Sequence, residues 1–149
     1  MFRKFSFVMF ALALCFMILG SQKASQAQSS YVNAHVFTQP SDTENDYYWI
    51  RTIDDPFWGI SGFMYIAGAN NTYFVVPDNV NTLSTTEAYV SAPVTVGVAQ
   101  QPGYLMAHVW KSNGVNYAGF VVVDLFDLVT VLDSSPDTQA SGRGYIRIR

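Results

Sequence analysis

YLMAHVWKSNGVNYAGFVVVD, residues Tyr104–Asp124, is the stretch that decides the fold class. Two runs of strand-favouring residues, Tyr104–Lys111 and Val115–Asp124, flank the dipeptide Asn113-Gly114. A two-residue hairpin loop that matches the twist of its strands needs positive φ at both central positions, and Asn followed by Gly supplies both at low cost. The stretch predicts two antiparallel strands joined by a tight turn.

Working outward, the same signals recur. Tyr31–Phe37 and Tyr47–Ile53 alternate around a polar loop, Thr38–Asp46, and Gly59–Ala67 and Thr72–Val76 surround the turn-forming Gly68-Ala69-Asn70-Asn71. Valine stands at alternate places at Val90, Val94, Val96 and Val98, and Pro93 assigns that strand an edge position or a bulge, because proline cannot donate to a ladder. Ser134–Gly144 reads as loop and Tyr145–Ile148 as a last strand. About eight short strands with Gly, Asn and Pro between them predict an all-β fold, an antiparallel sandwich or barrel. One segment carries two readings. Leu125, Leu128, Val129 and Leu132 have helical spacing, whereas Val129-Thr130-Val131 is a β-branched run. Strand is the preferred reading over 125–133; a helix there would make the fold α+β.

A weak echo links Gly68–Asp78 (GANNTYFVVPD) with Gly114–Asp124 (GVNYAGFVVVD), identical at six of eleven places. It reads as two hairpin turns, each followed by its return strand, since no full-length repeat supports duplication.

The chain opens with a different composition. Arg3 and Lys4 precede an apolar run, Phe5–Gly20, and a small-residue ending, Ser25-Gln26-Ala27. Charge, apolar run and small residues in that order make residues 1–27 a secretory signal peptide, so the chain is expected to be secreted or periplasmic. An uncleaved anchor is the alternative for an apolar run of this length. Lipid attachment at Cys15 is disfavoured, because Phe16-Met17-Ile18-Leu19 continue the apolar run beyond it.

Residues 28–149 form one expected β-rich extracellular domain. Its five basic residues, Arg51, Lys111, Arg143, Arg147 and Arg149, face eleven acidic ones, for a net charge of −6. No basic run provides an electrostatic footprint for nucleic acid, and after signal removal none provides one for an anionic membrane. Cys15 is the only cysteine, so disulfide staples, thiolate metal sites and a cysteine nucleophile are excluded from this region. Three tryptophans, nine tyrosines and six phenylalanines must instead supply much of the buried area.

The chemistry-bearing residues are few. His35 and His108 sit among apolar neighbours within predicted strands, where alternation alone places a histidine on the solvated face. Asp42, Glu44 and Asp46 alternate in a polar loop and are the candidate ligands for calcium, which takes six to eight oxygens. They lack the glycine and distal glutamate of a helix-loop-helix site, so no cofactor is expected beyond this weak calcium candidate. Tyr47, Tyr48, Trp49, Arg51, Asp54, Asp55 and Trp58 are the densest mixture of rings with hydrogen-bonding charges, and they are the candidate ligand-binding residues. Aromatic faces suit the apolar faces of sugars, while carboxylates and guanidinium bond their hydroxyls. In an alternating strand Tyr48 must point away from Tyr47 and Trp49.

No catalytic residues are nominated. Gly59-Ile60-Ser61-Gly62 does not match a nucleophile elbow, and no phosphate-cradling or dinucleotide motif occurs. The expected function is a secreted, non-enzymatic binding module for carbohydrate or another cell-surface or matrix ligand. The alternative is a self-associating coat, matrix or fibre subunit, and a small hydrolase ranks third. N-terminal sequencing of the exported protein is expected to begin at Gln28, immediately after Ala27; recovery of a chain that retains Phe5–Gly20 would establish the anchor instead.

Overall fold

The computed structural model describes residues 29–142 and 144–149, and the candidate signal peptide lies outside the described residues. Ten β-strands and no helix occur among the described residues. The first four are β1 (Ser30–Ser41), β2 (Glu44–Asp55), β3 (Gly59–Ala67) and β4 (Thr72–Val75). The next five are β5 (Asn79–Ser84), β6 (Glu87–Val96), β7 (Gln101–Ser112), β8 (Val115–Asp124) and β9 (Val131–Gln139), and β10 (Tyr145–Ile148) ends the fold. They form two five-stranded antiparallel sheets, ordered β10-β1-β2-β3-β4 and β5-β6-β7-β8-β9. Each sheet is largely a meander; only β10 returns, pairing beside β1 at the outer edge of the first sheet.

The turn that decided the fold class has the predicted geometry. Ser112 pairs with Val115, and Asn113 and Gly114 have φ of 51° and 79°. The two echo segments are both return strands of hairpins, β4 and β8, but their matched phenylalanines face opposite ways. Phe74 is exposed and Phe120 is buried.

Alternation drives the two sheets together. The inward face of the first sheet carries Val32, Ala34, Val36, Ile50, Met64, Ile66 and Ile146, and that of the second carries Val90, Leu105, Ala107, Val109, Ala118 and Val122, all buried. The strands of the two sheets cross. Ser30 at the start of β1 has its hydroxyl 3.3 Å from that of Thr82 on β5, while Thr38 near the other end bridges to Ala140 just after β9. Since β5 and β9 are opposite edges of the second sheet, β1 spans that sheet from edge to edge. A buried carboxylate fastens the sheets at another corner: Asp133 on β9 accepts from Tyr73 Oη on β4 at 2.6 Å and from Asn71 Nδ2 at 2.9 Å. Burial, reinforced by Asp133, raises the Tyr73 pKa, so its phenol keeps the proton it donates.

Three sequence expectations need correction. The polar loop Thr38–Asp46 is mostly ladder, because β1 and β2 remain paired out to Ser41 and Glu44 and only Asp42-Thr43 turn. Residues 125–130 are neither strand nor helix. Leu128 N bonds Asp124 O at 2.9 Å, one helical-type bond, after which Asp127 takes the backbone N–H groups of Val129 and Thr130 and the chain re-enters a strand at Val131. Finally, Ser134–Gln139 is strand where the sequence reads as loop, and Asn79–Ser84, to which the sequence reading assigns no element, is a strand as well. Both lie at sheet edges, where polar residues are tolerated on the open side. Pro93 sits as expected: the β5–β6 ladder runs no further than Asn79 and Ser91, so β6 has one neighbour there.

β9 approaches β8 through a bulge, and Gly119 makes room for it. A Cβ on Gly119 would lie 2.7 Å from the Asp137 nitrogen and 2.9 Å from its Cα, too close for any real side chain. Gly119→Ala must push β9 off β8, and it is expected to lose about 1–3 kcal/mol, the usual cost of overpacking. A urea unfolding midpoint unchanged from wild type would contradict this packing.

Candidate functional site

Strand parity sends aliphatic residues inward on the first sheet, and on the same strands it sends rings outward. On β1 the outward residues are Tyr31, Asn33, His35 and Phe37; on β2, Tyr47, Trp49, Arg51 and Ile53; on β3, Phe63 and Tyr65. Phe74 on β4 and Tyr145 and Arg147 on β10 complete this face. The registers align one ring from every strand in a single row, Tyr145–His35–Trp49–Tyr65–Phe74. With strands about 4.8 Å apart, the row is roughly 19 Å long. Phe37 and Tyr47 flank it on one side, and Arg147, Asn33, Arg51 and Phe63 form the next row on the other.

The rings support one another mainly edge to face. Trp49 and Phe63 meet at 4.8 Å and 90°, His35 and Trp49 at 6.2 Å and 86°, and Tyr47 and Tyr65 at 5.7 Å and 62°. Such contacts contribute beyond area burial and fix ring orientation. Polar groups are fixed too. Tyr47 Oη lies 2.6 Å from His35 Nε2. Desolvation raises the Tyr47 pKa, with Tyr65 and Tyr145 adding to the shift, so the phenol keeps its proton at neutral pH. The Asn33 amide donates to Tyr31 Oη at 2.8 Å and accepts from Tyr145 Oη at 3.3 Å. Arg147 lies over the Tyr145 ring, 5.3 Å from its centre. The face remains open to solvent, with Trp49 43% and Phe74 71% exposed. A contiguous exposed aromatic patch of this kind is the candidate interaction surface of the molecule.

The residues nominated from sequence are divided by this geometry. Tyr47, Trp49 and Arg51 lie on the aromatic face. Tyr48 points the other way and is fully buried against Phe120, where desolvation and then Asp46 raise its pKa. Asp54 and Asp55 are at the end of β2, and Asp55 caps the turn by accepting from the backbone of Phe57 at 2.8 Å and Trp58 at 3.1 Å. Those two bonds hold the Asp55 carboxyl below its ordinary range. Trp58, 90% exposed, stands on that turn and contributes nothing to the row. The three candidate calcium ligands also part company. Asp42 is in the turn and Glu44 is exposed, whereas Asp46 is buried, with Tyr48 Oη 3.4 Å away. Among the described residues no three His, Cys, Asp or Glu side chains are grouped to hold a metal ion.

Phe37, Phe63, Tyr65, Phe74 and Tyr145 were missed, because the nomination followed neighbours in sequence, whereas His35 lies on the solvated face where alternation put it. The signal that finds most of them is a ring at alternate positions in successive strands: His35-Val36-Phe37, Tyr47-Tyr48-Trp49 and Phe63-Met64-Tyr65.

The outward face of the second sheet carries rings in a different arrangement. Tyr89 lies flat on His108 at 4.3 Å and 5°, and Trp110 lies flat on Tyr117 at 4.1 Å and 12°. His108 is held at both nitrogens, Nδ1 by Asp137 at 2.7 Å and Nε2 by Glu87 at 3.0 Å. With both nitrogens engaged by carboxylates no acceptor position is left for a nucleophile's proton, so this group of charges is a clamp between β6, β7 and β9. No protein-family description, curated protein or solved structure matches the chain.

Burial acts to lower the His108 pKa, but the hydrogen bond and charge of Asp137, and then those of Glu87, outweigh it and raise the value above 6.5. A raised native pKa stabilises the fold fully below the unfolded value of about 6.5 and loses that contribution as pH rises through the native pKa. Urea midpoints of wild type and His108→Gln are therefore expected to differ more at pH 6 than at pH 9. An equal gap at both pH values would show that the clamp does not depend on the imidazolium.

Proposed function

We propose that the protein is an exported, non-catalytic binding module that recognises carbohydrate on the outward face of its first sheet. The observation that carries the reading is the five-strand row Tyr145–His35–Trp49–Tyr65–Phe74. A row roughly 19 Å long suits an extended oligosaccharide better than one sugar. Ring faces accept the apolar C–H faces of sugars. The hydroxyls of Tyr47 and Tyr145, the Asn33 amide and the arginines lie close enough to bond sugar hydroxyls.

The self-association reading draws less support. Its motives are low charge outside the loops and edge strands at the N-terminus, at Pro93 and at the C-terminus; the edges of the first sheet are β4 and β10, of four residues each, while those of the second, β5 and β9, have six and nine. Short edge strands are a common defence against edge pairing. Export is supported by the order of charge, apolar run and small residues in 1–27.

Binding of the purified protein to a panel of polysaccharides is the test. Trp49→Ala is expected to weaken the best ligand by at least about tenfold, equivalent to about 1.4 kcal/mol, in a protein whose circular dichroism spectrum still reports the folded sandwich. Phe126→Ala removes a ring that is 83% exposed on the β8–β9 turn and should leave affinity unaltered. A wild-type protein that binds no polysaccharide would overturn the reading.

A further inference from the structure

Charge is distributed unevenly over this molecule. The chain carries eleven carboxylates against eight basic residues, yet the aromatic row and the row beside it contain none of the carboxylates. Asp42 and Glu44 are at the β1–β2 turn, Asp54 and Asp55 are at the β2–β3 end, and Asp46 is turned into the core. The other six belong to the second sheet and its connections.

The positive charges go the other way. Arg51 and Arg147 lie on the outward face of the first sheet, in register on either side of Asn33, and both are exposed. Arg149 continues the same parity, its backbone paired with Tyr31. Among the described residues the fourth basic side chain is Lys111 on β7, in the second sheet. The ion pairs among the described residues are those of His108, so no carboxylate of the described chain neutralises Arg51 or Arg147. Exposed arginines without a carboxylate partner, in an acidic protein and beside the candidate binding row, are a complement to negative charge on a ligand.

Resting on the carbohydrate reading above, we infer that the ligand is an anionic polysaccharide. Its sugar rings lie along Tyr145–His35–Trp49–Tyr65–Phe74, and its carboxylate or sulfate groups meet Arg147 and Arg51 in the adjacent row. The two arginine backbones are two strand spacings apart, roughly 10 Å, so they reach separate charged groups on one extended chain. Guanidinium suits either anion, because its fork bonds two oxygens at once. Single-stranded nucleic acid also combines stacking with phosphate, but it needs a basic groove that tracks many phosphates. Two or three arginines in an otherwise acidic protein do not provide one.

The experiment uses the full protein and matched polymer pairs: dextran against dextran sulfate, and hydroxyethylcellulose against carboxymethylcellulose, with a single-stranded oligonucleotide as the rival class. A charged member is expected to bind at least about tenfold tighter than its neutral partner. That preference should shrink as salt rises from about 0.1 M to about 1 M, which shortens the Debye length from ~10 Å to ~3 Å. The preferred pair tells sulfate from carboxylate. Arg51→Gln with Arg147→Gln should abolish the preference, whereas Lys111→Gln, the same change in charge on the other sheet, should leave it intact. Equal binding of neutral and charged polymers would overturn the anionic assignment while leaving the carbohydrate reading standing. An oligonucleotide that outcompetes every polysaccharide would overturn both. A charged-polymer affinity unmoved by Trp49→Ala would reduce the interaction to charge alone and overturn the proposed alignment on the row.

Discussion

The fold and the aromatic face depend on one constraint, the two-residue period of a strand pressed against a thin aliphatic core. Where sheets cross and approach closely, inward positions favour compact side chains, and Ala34, Ala88, Ala92, Ala107 and Ala118 are all buried here. With valine, isoleucine and alanine filling the interior, the rings of β1, β2 and β3 are left to the outward parity. Tyr48 is the exception on β2, and its entry into the core brings a polar retinue. Its hydroxyl donates to buried Asp46 at 3.4 Å, and Thr38 and Ser135 are buried polar residues as well. Burying a phenol is tolerable when its oxygen keeps partners, and the same alternation that buries Tyr48 carries Asp46 in with it. The former calcium candidate is thereby committed to the core.

Much of the architecture was legible because hairpin chemistry is local. Asn113-Gly114 specifies a turn through two backbone angles, and no distant residue is needed to read it. The edge strands β5 and β9 were not legible, since Asn79-Val80-Asn81-Thr82 and Ser134-Ser135-Pro136-Asp137 have loop composition. Those segments become strands because an adjacent strand offers a ladder, which is tertiary context overriding propensity. Residues 125–130 misled in the opposite sense. The spacing of Leu125, Leu128 and Val129 suggests a buried helical stripe, yet all three are exposed. Asp124 and Asp127 take the backbone groups a helix would have used. For the candidate site, the composition of Tyr47–Trp58 pointed to the right strand but to only part of the surface. Tyr47, Trp49 and Arg51 lie on the face; the remaining rings arrive by register from strands that sequence proximity does not connect.

The two outward faces show why rings alone do not make a binding surface. On the second sheet Tyr89 covers His108 and Trp110 covers Tyr117, nearly parallel, so those ring faces are already satisfied within the molecule. Glu87 and Asp137 then fix the imidazole, and Gly119 allows β9 to come close enough for Asp137 to reach it. That surface behaves as a rib bracing β6 through β9. On the first sheet only Phe37–Tyr47 and His35–Tyr145 lie near parallel, while Trp49 meets both Phe63 and His35 edge to face. Edge-to-face packing holds a ring in place without stacking a neighbour flat over it. Rigid rings whose faces are not paired off cost little further entropy when a ligand is bound. The same residue types therefore stack flat on one sheet and meet mainly edge to face on the other.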